Sequence, residues 1–493
     1  MDNQQQLPDE DLWAQLGEVT GRERIDVLYE LGDRASQRQD FPSATSLWQE
    51  METTANEVGD AQAAAEAVRL QGVAAFYSGE YEDAIALYRK AARAHEEAGR
   101  LRDAAAALWC LADTFRATGD FEGQLQAAAD SRAMAESEEA PTMAGDACLM
   151  QARALYMLNR EQEALTACAA GREHYRSAPR PEKVAQIDDF ALSVHLYLGN
   201  LDEALELARG CLVLARMSSS EADDSYARLR LAEVFHRRGS LEEAMGHAEI
   251  AMQEFRTRDD LLGVAKCEEL RGQALDDNGE SEKALEAFTD GRVLFDAMGC
   301  DYDALRCETR RAILMHNMGD YDLAAQANRR LIRAFSGGEG QQVELHWSVV
   351  RLLDNFHEDG QHDECLKAAV EHLDKWPEGV TAADPAYREF LGLYALALER
   401  EGQIEQATAI SNHVIAQTPA REASLGTAYC YEVRGRSQLE SDEGAASQDF
   451  SHAIALHLAR NRVDRAKELS AYFLPVDKDS GRAGAEDPVG GHA

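Results

Sequence analysis

Gly79-Glu80-Tyr81-Glu82-Asp83-Ala84 decides the fold, because variants of it return at an interval of 40 residues through most of the chain. Gln39-Asp40-Phe41 with Ala44 precedes it. Gly119-Asp120-Phe121, Asn159-Arg160-Glu161 with Ala164, and Gly199-Asn200-Leu201 with Ala204 follow. Gly239, Gly279 and Gly319 continue the frame with Ala244, Ala284 and Ala324. The interval then loosens to Gly360 with Cys365, Gly402 with Ala407, and a degenerate Ser441-Asp442-Glu443 with Ala446. A period of roughly 20 to 50 residues marks an array whose units are buried by stacking on one another.

On either side of this stretch the apolar residues recur at three- and four-residue steps. Ala64, Val68, Leu70, Ala74 and Ala75 come before the glycine, and Ala84, Ile85, Tyr88, Ala91, Ala92 and His95 after it. The spacing predicts two amphipathic helices, residues 62–78 and 81–98, with Gly79 ending the first in a left-handed conformation. The whole chain contains 10 prolines and no alternating run rich in Val, Ile or Thr, so the class is all-α. A small residue is needed where two helices cross closely, which gives Ala84 and its equivalents a structural role.

The 493 residues carry 50 basic and 89 acidic side chains, a net charge of -39. Long-range repulsion therefore disfavours a nucleic-acid partner held through phosphates, whereas a basic protein segment would be attracted. The nine cysteines are scattered with no Cys-x-x-Cys pair, which argues against a disulfide framework or a zinc site and for a reducing compartment. The first residues lack a basic start followed by an apolar run, and no apolar stretch reaches the ~18 residues of a membrane span. A soluble, cytoplasmic protein is expected.

The expected layout is a leading helix in residues 1–23, eight 40-residue repeats in 24–335, and a glycine-rich break at 336–342. About three degenerate repeats then occupy 343–461, a closing helix 462–475 and a disordered tail 476–493. The break Ser336-Gly337-Gly338-Glu339-Gly340 would let the array bend.

These residues resemble the tetratricopeptide repeat family, in the 40-residue form of kinesin light chains, Rap-type bacterial regulators and the sensor arms of nucleotide-binding switch proteins. In the second repeat the family's small residues fall on Gly72, Ala84 and Ala91, its turn on Gly79 to Tyr81 and its aromatic on Tyr88. Gly32, Phe41, Ala44 and Trp48 keep the pattern in the first repeat, and Gly272, Ala284, Phe288 and Gly291 in the seventh. Gln124 replaces the alanine in the third. The resemblance implies an α-solenoid, a right-handed superhelix of helix-turn-helix repeats, whose first helices form the binding groove.

Enzyme signatures are missing: there is no Gly-Lys-Ser/Thr, Gly-x-Ser-x-Gly or His-Glu-x-x-His. No catalytic residue, metal ligand or cofactor is assigned, and His357, His362 and Asp363 read as a polar turn. Aromatic and cationic side chains anchor interfaces. By the resemblance, the partner-binding candidates on first helices are Trp109, Arg116, Arg153, Tyr156, Tyr197, Tyr226, His236, Arg237, His316 and Asn317. The carboxylate clamp of chaperone-binding relatives is not expected, because its row reads Asp33, Val73, Asp113, Arg153, Ser193, Glu233 and Gln273. Nor are the repeated asparagines that hold a peptide backbone in Rap-like relatives, of which only Asn317 is present in the aligned rows. Two functions stay open: a non-enzymatic interaction scaffold or regulatory subunit holding a basic protein segment, and a peptide-sensing regulator whose change of pitch controls an effector.

Overall fold

A computed structural model describes residues 8–178, 180–218, 221–337, 341–418 and 424–473. Its helices fall into two compact units divided at Leu270 and Arg271. Unit 1 contains α1 (Asp9–Glu18), α2 (Arg22–Gln37), α3 (Phe41–Val58), α4 (Ala61–Tyr77), α5 (Tyr81–Glu97), α6 (Leu101–Thr118) and α7 (Phe121–Ser137). It continues through α8 (Pro141–Met157), α9 (Glu161–Ser177), α10 (Pro181–Leu198), α11 (Leu201–Ser218), α12 (Glu221–Arg237) and α13 (Leu241–Thr257) into α14 (Leu261–Asp277), within which the division falls. Unit 2 continues with α15 (Ser281–Ala297), α16 (Asp301–Met318), α17 (Tyr321–Phe335), α18 (Gln342–Glu358) and α19 (His362–His372). It ends with α20 (Pro385–Arg400), α21 (Ile404–Gln417), α22 (Leu425–Gln438), α23 (Glu443–Ala459) and α24 (Val463–Ser470). No strand occurs among the described residues, and no helix there is long and apolar enough to cross a membrane. From α2 to α13 and from α15 to α23 the helices follow one another as pairs, a first helix and a second, each packing on its neighbours in sequence within its unit. The array is an all-α solenoid.

The turn inside each pair behaves as the quoted stretch demands. Gly79 has φ of 80°, its N–H donates to Phe76 O at 3.0 Å, and Glu80 N–H donates to Ala75 O at 2.9 Å. These two bonds satisfy carbonyls that the end of α4 would otherwise leave bare. Left-handed backbone recurs at Gly119, Gly199, Gly239, Gly279 and Gly319, and at Gln39 and Asn159, where the sequence has no glycine. A second set lies between pairs, at Gly59, Gly99, Glu139, Asp259 and Gly299. The chain therefore reverses about every 20 residues, through a conformation that L-residues with a Cβ adopt at a cost of about 1–2 kcal/mol. Asp40, Asp60 and Asp120 start the helices that follow such turns, accepting N–H bonds from Ser43, Ala63 and Gly123 at 3.3, 3.1 and 2.9 Å.

Inside the pair, Ala44, Ala84, Ala164, Ala204, Ala284 and Ala324 are completely buried. Beside them a small residue on the first helix faces a ring on the second. A Cβ added to Gly32 would lie 2.3 Å from the Trp48 ring, one at Gly72 2.8 Å from Tyr88, and one at Gly272 2.9 Å from Phe288. Sixteen positions separate the members of each couple, and the same spacing elsewhere gives Ala112 with Ala128, Ala152 with Cys168, Leu192 with Ala208, and Ala232 with Ala248, all buried. Where one helix carries a large side chain the other carries a small one, and the remaining couples pair two small residues. Gln124, at the alanine position of the third pair, is buried and donates to Met150 O at 3.3 Å.

Unit 2 has a polar interior near its end. The Glu432 carboxylate is fully buried and accepts from His457 at 2.6 Å, Arg436 at 3.0 Å and Arg465 at 3.2 Å. Burial alone would raise its pKa, but the bonds from His457 and Arg465 and the Arg436 charge hold it well below the usual carboxylate range. Arg436 also grips Glu399 through two bonds of 2.6 Å. Arg462, at the start of α24, reaches Glu358 and Asp354 of α18. Ala466 and Leu469 of α24 are buried. The expected closing helix is thus α24 with a 3-10 turn, Ala471–Phe473. Glycines 338 and 340 and the tail from residue 474 lie outside the described residues.

Two predictions follow from this packing. Gly272→Ala is expected to destabilise unit 2 by about 1–3 kcal/mol alone, and by close to nothing when Phe288 is already alanine, the Ala–Ala couple being one the chain itself uses. Urea titration of the parent, the two single variants and the double variant measures that coupling, and additive costs would refute the couple. The second concerns His357, whose pKa burial lowers to about 4 from an unfolded value near 6.5. The unfolded chain binds the extra proton first, so stability from neutral His357 is complete above pH 6.5 and is lost as pH falls toward 4. His357→Gln should remove up to about 3 kcal/mol of acid sensitivity in that window, read as a shallower fall of the urea midpoint between pH 7 and pH 5.

Candidate functional site

First helices α4, α6, α8, α10 and α12 repeat in register, so residues 40 apart form rows along unit 1. One row carries Tyr77, Met157 and Tyr197, which are 65%, 52% and 60% exposed. Met157 and Tyr197 stand one 40-residue step apart and Tyr77 two steps before Met157, with Ala117 between them in the row. Tyr156 and Tyr197 meet edge to face at 5.6 Å, and Tyr156 meets Phe190 at 6.0 Å, so α8 and α10 share an aromatic group. Trp109 of α6 is 38% exposed. Arg116 pairs with Asp113 at 2.8 Å on its own helix. Arg153 is half-buried and forms no ion pair with any described residue.

Tyr226, His236 and Arg237 stand on α12. Tyr226 is half committed to structure, because its ring packs on Phe255 at 4.8 Å and its hydroxyl donates to Asp260 at 3.1 Å. Burial, together with Asp260, pushes its pKa up to about 12. Arg237 is exposed and donates to Leu196 O at 3.3 Å, covering a carbonyl in the last turn of α10. His316 and Asn317 belong to unit 2. There His316 Nδ1 and Asn355 Oδ1 are 2.7 Å apart and Asp354 lies 3.5 Å from Nε2, while Asn317 is exposed. Tyr156 and Tyr197 are therefore brought together, Tyr226 joins a cavity described next, and His316 with Asn317 form a separate location.

Arg230 was not singled out from sequence, and it lines a cavity on this face. Its guanidinium donates to Asp189 Oδ1 at 2.6 Å and to Ser193 Oγ at 2.6 Å, both on α10, and also pairs with Glu233. Burial would lower its pKa, but the Glu233 and Asp189 charges outweigh it and raise the value. The cavity, about 470 Å³, is lined by Gln186, Asp189, Ser193, Tyr226, Arg230 and Lys266 over an apolar base that includes Leu214. Lys266 sits over the Tyr226 ring at 6.0 Å. The signal was there to be read: the row through Leu70, Cys110, Met150 and Phe190 is apolar until it reaches Arg230. A charge in an otherwise apolar row needs acceptors, and the row one residue earlier supplies Asp189 on the preceding first helix.

Among the described residues no group of three His, Cys, Asp or Glu side chains is placed to hold a metal ion. The rings of His357 and His362 lie 5.8 Å apart, and burial lowers the pKa of both.

A tetratricopeptide repeat model matches residues 29–96, 69–141 and 192–256. No curated protein sequence matches the chain. Among solved structures, the apo form of RapI is 12% identical, with 71% of this chain and 98% of that one covered and a TM-score of 0.50. Aspartyl phosphate phosphatase F from Bacillus subtilis is 11% identical, with 72% and 95% covered and a TM-score of 0.45. A signal transduction ATPase with numerous domains and a tetratricopeptide repeat sensor, from Pyrococcus horikoshii, is 16% identical, with 62% and 47% covered and a TM-score of 0.46. At such identity the RapI likeness is one of fold alone. The turn, the small residue at the crossing and the facing aromatic are all seated in stacked helical pairs, and over residues 29–141 and 192–256 these pairs match the tetratricopeptide repeat.

Proposed function

We propose that this protein is a non-enzymatic interaction scaffold that holds a segment of a partner protein on the first-helix face of unit 1. The repeat family and the stacked pairs support a protein-interaction scaffold. The observation that carries the choice of face is the row of exposed Tyr77, Met157 and Tyr197, with Tyr156 packed beside Tyr197. Rigid aromatic side chains give contact area at small entropic cost, and such residues dominate interface energetics. Trp109 and Arg116 of α6, Arg153 of α8, and Tyr226, His236 and Arg237 of α12 belong to the same proposed face. His316 and Asn317 would serve a separate contact in unit 2.

The segment favoured is apolar at its anchors and basic around them. The net charge of -39 draws cations toward the chain. Asp189 lies at the cavity with about half of its side chain exposed, free to accept a second donor beside Arg230. Attraction of this kind speeds encounter and weakens with salt, while the aromatic anchors set the lifetime of the complex.

Selection of a random peptide library against the full chain tests the proposal. Enriched peptides are expected to share aromatic or aliphatic anchors flanked by Lys or Arg, and to lose about tenfold or more in affinity when Tyr156 and Tyr197 are both replaced by alanine. Helicity should be unchanged, since Tyr197 is mostly exposed. Peptides without a consensus, or a consensus that binds the double variant equally well, would move the site away from this face.

A further inference from the structure

A second groove of unit 1 is built from different helices. Its walls are the second helices α5 and α7, its floor is α6, and its volume is about 560 Å³. Leu108, Leu111 and Phe115 form the floor, and Arg89 and Arg93 stand on the α5 wall. The groove is open because the walls are low: Ala92 faces it from α5, and Gly123, Ala127 and Ala133 from α7. Gly123 is required, since a Cβ there would lie 2.9 Å from the Phe115 ring and 2.5 Å from Asp120 Oδ2. The absence of that Cβ lets the ring lie against the first turn of α7, and the Arg89 guanidinium sits over it at 5.5 Å.

Arg89 and Arg93 are one helical turn apart, so their side chains share a face of α5. Both are exposed, and neither forms an ion pair with any described residue. The neighbouring Arg69, Arg100, Arg116 and Arg132 are each paired, whereas Arg102 and Arg153, like Arg89 and Arg93, have no carboxylate partner among the described residues. The acids that also line the groove are partly engaged: Asp120 accepts from Gly123 N–H at 2.9 Å and Asp130 from Gln126 at 3.0 Å, while Glu96 is exposed at the wall. The Arg89 guanidinium beside the Phe115 ring has N–H donors left for a carboxylate, which it can receive in a fork of two bonds.

We propose that this second-helix groove is a separate docking site for an acidic, apolar-anchored protein segment, with an apolar side chain seated on Leu108, Leu111 and Phe115 and carboxylates bound by Arg89 and Arg93. The scaffold then has two faces of opposite preference, the first-helix face for a basic segment and this groove for an acidic one.

The test uses the full chain and a terminally blocked synthetic peptide, Glu-Leu-Phe-Glu-Glu-Leu, with a counterpart in which every Glu is Lys. Calorimetry is expected to show saturable binding of the acidic peptide and none of the basic one at this groove. Arg89→Ala with Arg93→Ala should weaken it about tenfold with the circular dichroism spectrum unchanged, both side chains being exposed. Tyr156→Ala with Tyr197→Ala should leave it unaltered, so failure of the first-helix reading and failure of this one are told apart. The proposal is overturned if the arginine variant binds the acidic peptide as the parent does, if the lysine peptide competes for the same site, or if a single-stranded oligonucleotide binds there more tightly than either.

Discussion

The close crossing of the two helices in each pair is the constraint on which the rest depends. Helix axes approach to about 8–10 Å, so the volume at the contact is fixed and the two facing side chains must share it. Gly72 gives its share to Tyr88 and Gly272 to Phe288, whereas Ala112 and Ala128 divide it evenly and Leu192 takes it from Ala208. Because the crossing sets how each second helix leaves its first, it also sets where the next pair lands. The rows of residues 40 apart exist only because every pair solves the same packing problem.

What the sequence makes legible is what repeats. The turn glycines, the buried alanines and the facing rings each recur in a fixed frame, so a weak local signal becomes strong by repetition. Helices predicted at 62–78 and 81–98 are found at Ala61–Tyr77 and Tyr81–Glu97. The left-handed residues Glu139 and Asp259 were not legible, because nothing in a glutamate or an aspartate announces positive φ and the conformation is imposed by the helices on either side. The Arg230 cluster is legible only when the 40-residue rows are aligned. Its partners lie on another helix 37 and 41 positions away, and that pairing is fixed by tertiary register and not by local pattern. The buried Glu432 cluster is more hidden still, since its donors Arg436, His457 and Arg465 come from three elements and no period links them.

Charge is the second organising constraint. With 89 acidic and 50 basic side chains, self-repulsion works against compaction, and each arginine placed between carboxylates relieves it locally. Exposed pairs such as Arg116 with Asp113 contribute well under about 1 kcal/mol. The buried Glu432 cluster differs in kind: desolvating its carboxylate is costly, and only the combined donors of Arg436, His457 and Arg465 offset that, so the cluster ties α22, α23 and α24 into one arrangement.

Arg230 joins the two constraints. It occupies a row that is apolar in the preceding first helices, so its guanidinium must be satisfied from within the array, and it is, by Asp189 and Ser193 of α10. The same Asp189 lines the cavity on the proposed partner-binding face. Arg230 uses only Oδ1 of that carboxylate, so on the proposed reading a basic side chain entering the cavity is received by Oδ2 while Arg230 keeps its bonds to Asp189 and Ser193. On that reading, the partner's cation and the contact between α10 and α12 share one residue, Asp189, through its two oxygens.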